Sequence, residues 1–467
     1  MAYKKELANK ASHFDIVKNK EVNEFLNNCN YIKPPSKEEA QALGFLFEEP
    51  LRIKNEVMPE RIIAIDGSYH ESSIDDRIPS SKIGYVKIGS FLIDMHSYNS
   101  LRVGNKLYVD PFKVASLQEY RSSVTFPLPS ANVVTIGKSS VRESFRNEVD
   151  KQLYNYRIDS NDPNSSLRTT LFHLASARPG KENNPNILKL HKCPSCNNSN
   201  IEVLDVPDEQ LCPFCDNAIF PTDCLRIWED VADHQSNRTA LSRFMMYVEH
   251  ILMIHYIRYL FETSLTALSN VAFFVDGPLA VFGTGAWLSN AIMRYLYNIN
   301  SVIEQKGLPK LLIIGLQKTG QVIDYFNLIE RHIDKNRIYL IDDDYRYKYV
   351  IPGRSESSTV FGYETYYGQD FVYKTPSGRL FVFALPYPMG SKNDPNVQTF
   401  RKEKLKKENY PEMSRAINLI DEFECDLYEN AIVPIALAHR YTAISLEPGA
   451  HVLDLLTRDK LNMPNNK

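Results

Sequence analysis

The sequence predicts an α/β protein, and three observations carry that expectation. Short runs of apolar, β-branched residues ("RIIAID", "NVAFFVDG", "KLLIIGLQ", "RIYLID", "RLFVFALP") alternate with segments of helical periodicity. Hydrophobic residues make up 43% of the 467, enough for a sizeable core, and 19 glycines with 26 prolines are too few for a disordered chain. The formal charge is -3 and the pI about 6.4. No global positive field draws in nucleic acid, so any phosphate-binding surface must be local.

Residues 1–58 read as a polar, helical extension, with Pro34-Pro35-Ser36 announcing a short helix. The N-terminus has no apolar run of the signal-peptide kind, and the most apolar helix, "FMMYVEHILMIHYIRYLF", carries a glutamate, two histidines and an arginine. A cytoplasmic protein without a membrane span is expected. Residues 59–185 open with strands ("RIIAIDGS", "KIGYVKIGSFLID", "KLYVD") and end in a polar stretch, residues 145–185, that joins a helix to the loop "RIDSNDPNSS". An insert at 186–225 holds the paired cysteines. Residues 226–467 then give a long helix from about Ser236 to Leu268, a second strand, a helix near 287–306, a third strand, and a closing helix from about residue 411.

The insert contains Cys193-Pro-Ser-Cys196 and Cys212-Pro-Phe-Cys215, spaced C-x2-C-x15-C-x2-C. Each CxxC turn points two thiolates at one place, and two such turns complete a tetrahedral zinc site. Four thiolates leave no open position, so the Zn2+ is structural: it holds a ribbon too short to bury a core of its own.

Two runs end alike: "IIAIDGS" at Asp66 and "AFFVDGP" at Asp276. Asp-Gly is also a favoured hairpin turn, which either example alone satisfies. Glu249, 276 − 249 = 27 residues before Asp276, has Met245, Met246, Leu252 and Met253 as helical neighbours. A charge on that apolar stripe is costly unless it is paired or reaches solvent. Glu262 competes for the same role, although Arg258 and Thr266 beside it read as a solvated face. Two strand-end aspartates and a glutamate are hard oxygen ligands suited to Mg2+ or Mn2+, and a pair of such ions hydrolyses phosphodiesters.

In order, "IAIDGS", "FFVDGPLAVFG", "LLIIGLQKTG" and "PIALAHRYTAIS" resemble the motifs of the NurA nuclease family over roughly residues 60–450. The resemblance implies an RNase H-like mixed sheet flanked by helices, interrupted here by the zinc ribbon. It implies a Mn2+- or Mg2+-dependent nuclease that degrades DNA ends, with single-strand endonuclease action as a second mode. It also implies a homodimer working with a HerA-type hexameric ATPase, in DNA end resection and repair or in phage defence. A DNA-binding scaffold subunit of such a complex is the alternative. Asp66 and Asp276 match the family's metal-binding aspartates, and Glu249 is taken for its glutamate. Lys318 matches a lysine that contacts the scissile phosphate, and His439 a late histidine that binds metal or phosphate. The chain departs from the family at "NAIVPIAL", where Pro434 alone remains of a Gly-Tyr-Pro-Tyr-Pro-like run.

"FRKEKLKKENY" gathers Arg401, Lys402, Lys404, Lys406 and Lys407, either a DNA contact or a solvated helix face. "IDDDY" (Asp342 to Asp344) reads as a solvated turn. "FGTGAW" lacks the cradle of a nucleotide loop, so no ATPase activity is expected.

Overall fold

The computed structural model describes residues 13–29, 31, 33–75, 77–100, 121–177, 185–351, 360–425, 432–446 and 448–462. The expected strand "KLYVD" lies outside them. Among the described residues, no helix is long and apolar enough to cross a membrane.

The described residues form twelve strands, in chain order β1 (Arg61–Asp75), β2 (Ile78–Asp94), β3 (Arg121–Pro129), β4 (Ile187–Lys192), β5 (Ser199–Leu204), β6 (Gln210–Leu211), β7 (Ala218–Ile219), β8 (Val271–Asp276), β9 (Leu312–Gln317), β10 (Arg337–Leu340), β11 (Gly368–Lys374) and β12 (Leu380–Pro386). Eight of them form one sheet in the order β10-β11-β12-β9-β8-β1-β2-β3. β1, β2 and β3 are an antiparallel meander, and β8 and β9 continue from β1 in parallel. This is the RNase H-like mixed sheet, widened by the antiparallel strands β12, β11 and β10.

Alternation decides what each strand offers to each face. Ile62 and Ala64 of β1, with Ala272 and Phe274 of β8, face a core closed by helices Met413–Phe423 and Val433–Thr442. Ile65, Phe273 and Val275 face the other core, under helices Val141–Asn155, Leu167–Ser176, Arg238–Thr263 and Trp287–Gln305. β8 and β9 are buried almost throughout because helices cover both faces, as parallel strands require.

Two expectations are corrected. The first strand does not end at Asp66: β1 runs nine residues further (75 − 66 = 9), and Gly67 pairs with Ile88 inside the ladder. The stretch from residue 145 is no mere join to a loop, because Leu167–Ser176 is a helix whose Leu167, Leu171, Phe172 and Leu174 are buried.

The ribbon is two small hairpins, β4–β5 and β6–β7. Leu188, Leu190, Ile201 and Val203 alternate inward and join the main core together with Cys193 and Cys212. The insert is therefore seated on the sheet's helical layer.

Candidate metal centre

β1 and β8 run parallel with Ile65 opposite Val275. The next residues on the two strands are Asp66 and Asp276, which therefore stand side by side on the face covered by helix Val433–Thr442. Pro434 sits in the first turn of that helix, where its ring fits, and the last turn carries His439 to the site. The His439 Nδ1 lies 2.9 Å from Asp66 Oδ2. Ligand atoms of Asp66, Asp276 and His439 all lie within 4.8 Å of one another.

The surroundings hold this cluster tightly. Thr442 Oγ1 donates to Asp66 Oδ2 (3.2 Å), and the Gly67 amide donates to Asp66 Oδ1 (2.9 Å). Lys318, the first residue beyond β9, donates to Asp276 Oδ2 at 2.8 Å. The helix can come so close because β2 has Gly89 opposite Asp66: a Cβ there would stand 2.6 Å from the Thr442 Cγ2. Thr442 escaped sequence reasoning, although its i+3 spacing from His439 on one helix was a usable signal.

Glu249 arrives from the opposite face. It lies on helix Arg238–Thr263, is buried, and its Oε1 would stand 2.6 Å from a Cβ at position 67. Gly67 keeps ordinary strand geometry, so its role is space for this carboxylate and not a turn. Glu262 lies elsewhere: it pairs with the buried Arg258 at 3.4 Å, and both line a separate cleft of about 510 Å³ against the ribbon. Arg258 itself is buried, contrary to expectation, while Glu262 and Thr266 are exposed as a solvated face requires.

The electrostatics mark a site where carboxylates outnumber the cationic groups beside them. Burial raises Glu249 well above the ordinary carboxylate range, and Asp66 and Asp276 raise it further. Asp276 is also raised, first by burial and then by Asp66, while Lys318 opposes both. His439 is raised above the usual imidazole value, chiefly by its hydrogen bond to Asp66. Asp66, Asp276 and His439 form a hard donor set for a divalent cation, which would relieve this repulsion, while Glu249 lies outside that group and acts on it from the other face. The residues present fit such an ion, with Asp66, Asp276 and His439 as the nearest group.

The four cysteines also converge: their Sγ atoms lie within 4.8 Å of one another, with Cys193–Cys215 at 3.8 Å and Cys196–Cys212 at 3.7 Å. The two CxxC turns are near copies. Asn197 and Asp216 take left-handed conformations that bring amide donors round to the sulfurs, and Asn198 and Asn217 each donate to a cysteine Sγ (3.3 and 3.5 Å). This cluster is compatible with a zinc ribbon.

The basic run 401–407 looks inward more than expected. Lys404 is buried with its ammonium 2.6 Å from Asp343, which corrects its reading as a phosphate contact. Arg401 bonds to Asp344 at 3.1 Å, Lys406 to Glu403 at 2.6 Å and Lys407 to Glu48 at 2.6 Å; Lys402 is exposed. "IDDDY" is no solvated turn either: Asp343 is buried, and Asp342 caps the backbone N–H of Tyr345 at 2.6 Å.

The sequence profile of the NurA domain matches residues 60–444. The crystal structure of the NurA nuclease from Sulfolobus solfataricus aligns over 97% of this chain and 98% of that one, at 8% identity and a TM-score of 0.36. No curated protein matches significantly.

Proposed function

Since this chain belongs to the NurA family, its domain spanning residues 60–444, we propose that it is a divalent-metal-dependent DNA nuclease acting on DNA ends. The observation that carries this reading is the in-register placement of Asp66 and Asp276 on adjacent parallel strands, with His439 against Asp66. Asp66, Asp276 and His439 would hold Mn2+ or Mg2+, with Glu249 completing the set from the other face. Such ions, when bound, neutralise a phosphodiester and favour ionisation of an attacking water.

The side chains have separable tasks. Asp66 is fixed by three donors, Gly67, Thr442 and His439, so its oxygens are preset before substrate arrives. Lys318 balances Asp276, and once a cation relieves that duty its ammonium is placed to meet a phosphate oxygen. His439, about half exposed, is biased toward its protonated form by Asp66, and it would give up a proton to hold a cation, so binding should weaken as pH falls. The ribbon cysteines Cys193, Cys196, Cys212 and Cys215 would hold one structural zinc. A HerA-type translocase as partner, a homodimer and an exonucleolytic mode follow from the family as parts of this proposal. The four divisions at 1–58, 59–185, 186–225 and 226–467 belong to the same proposal and rest on the composition of the chain and its cysteine insert.

Purified protein with Mn2+ and linear DNA tests the reading. Asp66→Ala and Asp276→Ala should each lower cleavage at least about 100-fold while circular dichroism stays native, because each removes a direct ligand. Wild type and both variants behaving alike would sink the nuclease reading and leave a DNA-binding scaffold. Elemental analysis should find about one zinc per chain, lost in Cys193→Ser.

A further inference from the structure

Glu71 is a charged residue whose side chain is shut off from solvent, and metal binding makes no direct use of it. It lies on β1, 71 − 66 = 5 residues beyond Asp66. Its carboxylate accepts four hydrogen bonds from three segments. Oε1 takes the Ser130 hydroxyl (2.6 Å) and the Asn237 amide (2.9 Å); Oε2 takes the Ser236 hydroxyl (2.5 Å) and the Lys82 ammonium (3.1 Å). Burial alone would raise this carboxyl, yet the donors together bring it below its ordinary value.

Asn237 is the N-cap of helix Arg238–Thr263, the helix that carries Glu249. Its own side chain does not cap that helix. It is bonded to both backbone groups of Ala232, at 2.8 and 3.0 Å, and so shapes the incoming loop. Glu71 supplies the missing anion at the helix's positive end, from a neighbouring strand.

The helix therefore touches β1 at two levels. At its start, Glu71 accepts from Asn237, and Gly84, the cross-strand partner of Glu71, makes room for Leu241. Further along, Gly67 makes room for Met245 and Glu249. From Asn237 to Glu249 the helix covers 249 − 237 = 12 residues, about 18 Å at about 1.5 Å per residue. From Glu71 back to Asp66 the strand covers about 16 Å at about 3.3 Å per residue. Pinning one end fixes the register of the other, since a slip of one helical residue would turn Glu249 by about 100°.

We infer that Glu71 is the positioning residue for Glu249: a buried anionic cap that holds the helix in the register at which Glu249 meets the Asp66–Asp276 pair. The inference rests on the reading of Glu249 as part of the metal site. A buried charge held this way can act as a registry device.

Binding of Mn2+ alone to the full chain, followed by titration calorimetry, separates the possibilities without any cleavage assay. Glu71→Gln should weaken Mn2+ binding about tenfold, the scale of a supporting residue around a metal site, with faster amide exchange at residues 237–241. Ser236→Ala should weaken it less. In Glu71→Gln/Glu249→Gln the first change should add no further loss to the second. Mn2+ binding that responds to Glu249→Gln but not to Glu71→Gln, or losses that simply add, would overturn the positioning role. Should Glu71→Gln fail to fold, unaltered Mn2+ binding by Ser236→Ala overturns it equally. Unaltered binding in Glu249→Gln would instead take Glu249 out of the metal site, a failure of the premise that this series tells apart.

Discussion

The same long helix meets β1 at two buried glutamates, one on the strand and one on the helix, and they live under opposite electrostatics. At the helix start, Glu71 of β1 gathers four donors, and its carboxyl falls below the ordinary range. Several turns along, Glu249 shares its surroundings with Asp66 and Asp276, and its carboxyl rises well above that range. Burial opposes ionisation at both places. What differs is the supply of donors: the first carboxylate is surrounded by donors within the protein, and the second faces two other carboxylates. The contrast separates a group that builds the fold from groups whose strain marks a site.

Neutralising each carboxylate in turn puts this contrast at risk. Glu249→Gln should cut Mn2+-dependent cleavage by about 10- to 100-fold, yet stabilise the metal-free protein by about 1–2 kcal/mol in urea unfolding, because a neutral amide replaces a buried carboxyl disfavoured by Asp66 and Asp276. Glu71→Gln should go the other way and destabilise by about 2–3 kcal/mol, since it leaves donors that lose a charged acceptor. Equal signs for the two would erase the distinction.

Two glycines next to the aspartates divide along the same line. Gly67→Ala puts a methyl 2.6 Å from Glu249 Oε1 and 2.7 Å from Met245 Cγ, so it should weaken Mn2+ binding as well as stability. Gly277→Ala meets nothing within 4 Å but keeps a φ of 109°, so it should cost about 1 kcal/mol of backbone strain, read as a lower Tm.

The pH dependence gives the smallest effect. Glu71 has a lowered folded pKa, so its contribution is present above the unfolded value and is lost as pH falls through the folded one. Glu249 has a raised pKa, so its charge destabilises the metal-free fold at neutral pH, and protonation on acidification relieves that cost. Thermal melts of the metal-free Glu71→Gln variant should therefore lose less stability than wild type between about pH 5 and about pH 3. Those of Glu249→Gln should lack the relief that wild type gains as Glu249 protonates.

Two dipeptides show where sequence reading stops. Asp66-Gly67 and Asp276-Gly277 look alike on the page, and both invite a turn. Gly277 does end its strand, with a positive φ. Gly67 continues its strand and is small because a carboxylate from the other side of the sheet needs the volume. No local propensity separates these cases, because the deciding neighbour lies 249 − 67 = 182 residues away. The basic run 401–407 behaves in the same way: clustered charge is visible in the sequence, but its carboxylate partners lie on distant segments.

The α/β alternation, the four-cysteine insert and the two aspartates that follow apolar runs were legible in the chain alone, although only Asp276 ends its strand. Each of these is written in local periodicity or in fixed spacing, which short-range geometry enforces. Folding in three dimensions had to settle the rest: the pairing of β1 with β8 that sets Asp66 beside Asp276, the descent of His439 and Thr442 onto them, and the capture of a helix start by Glu71. Those depend on strand register and helix packing, where residues hundreds of positions apart compete for the same few ångströms.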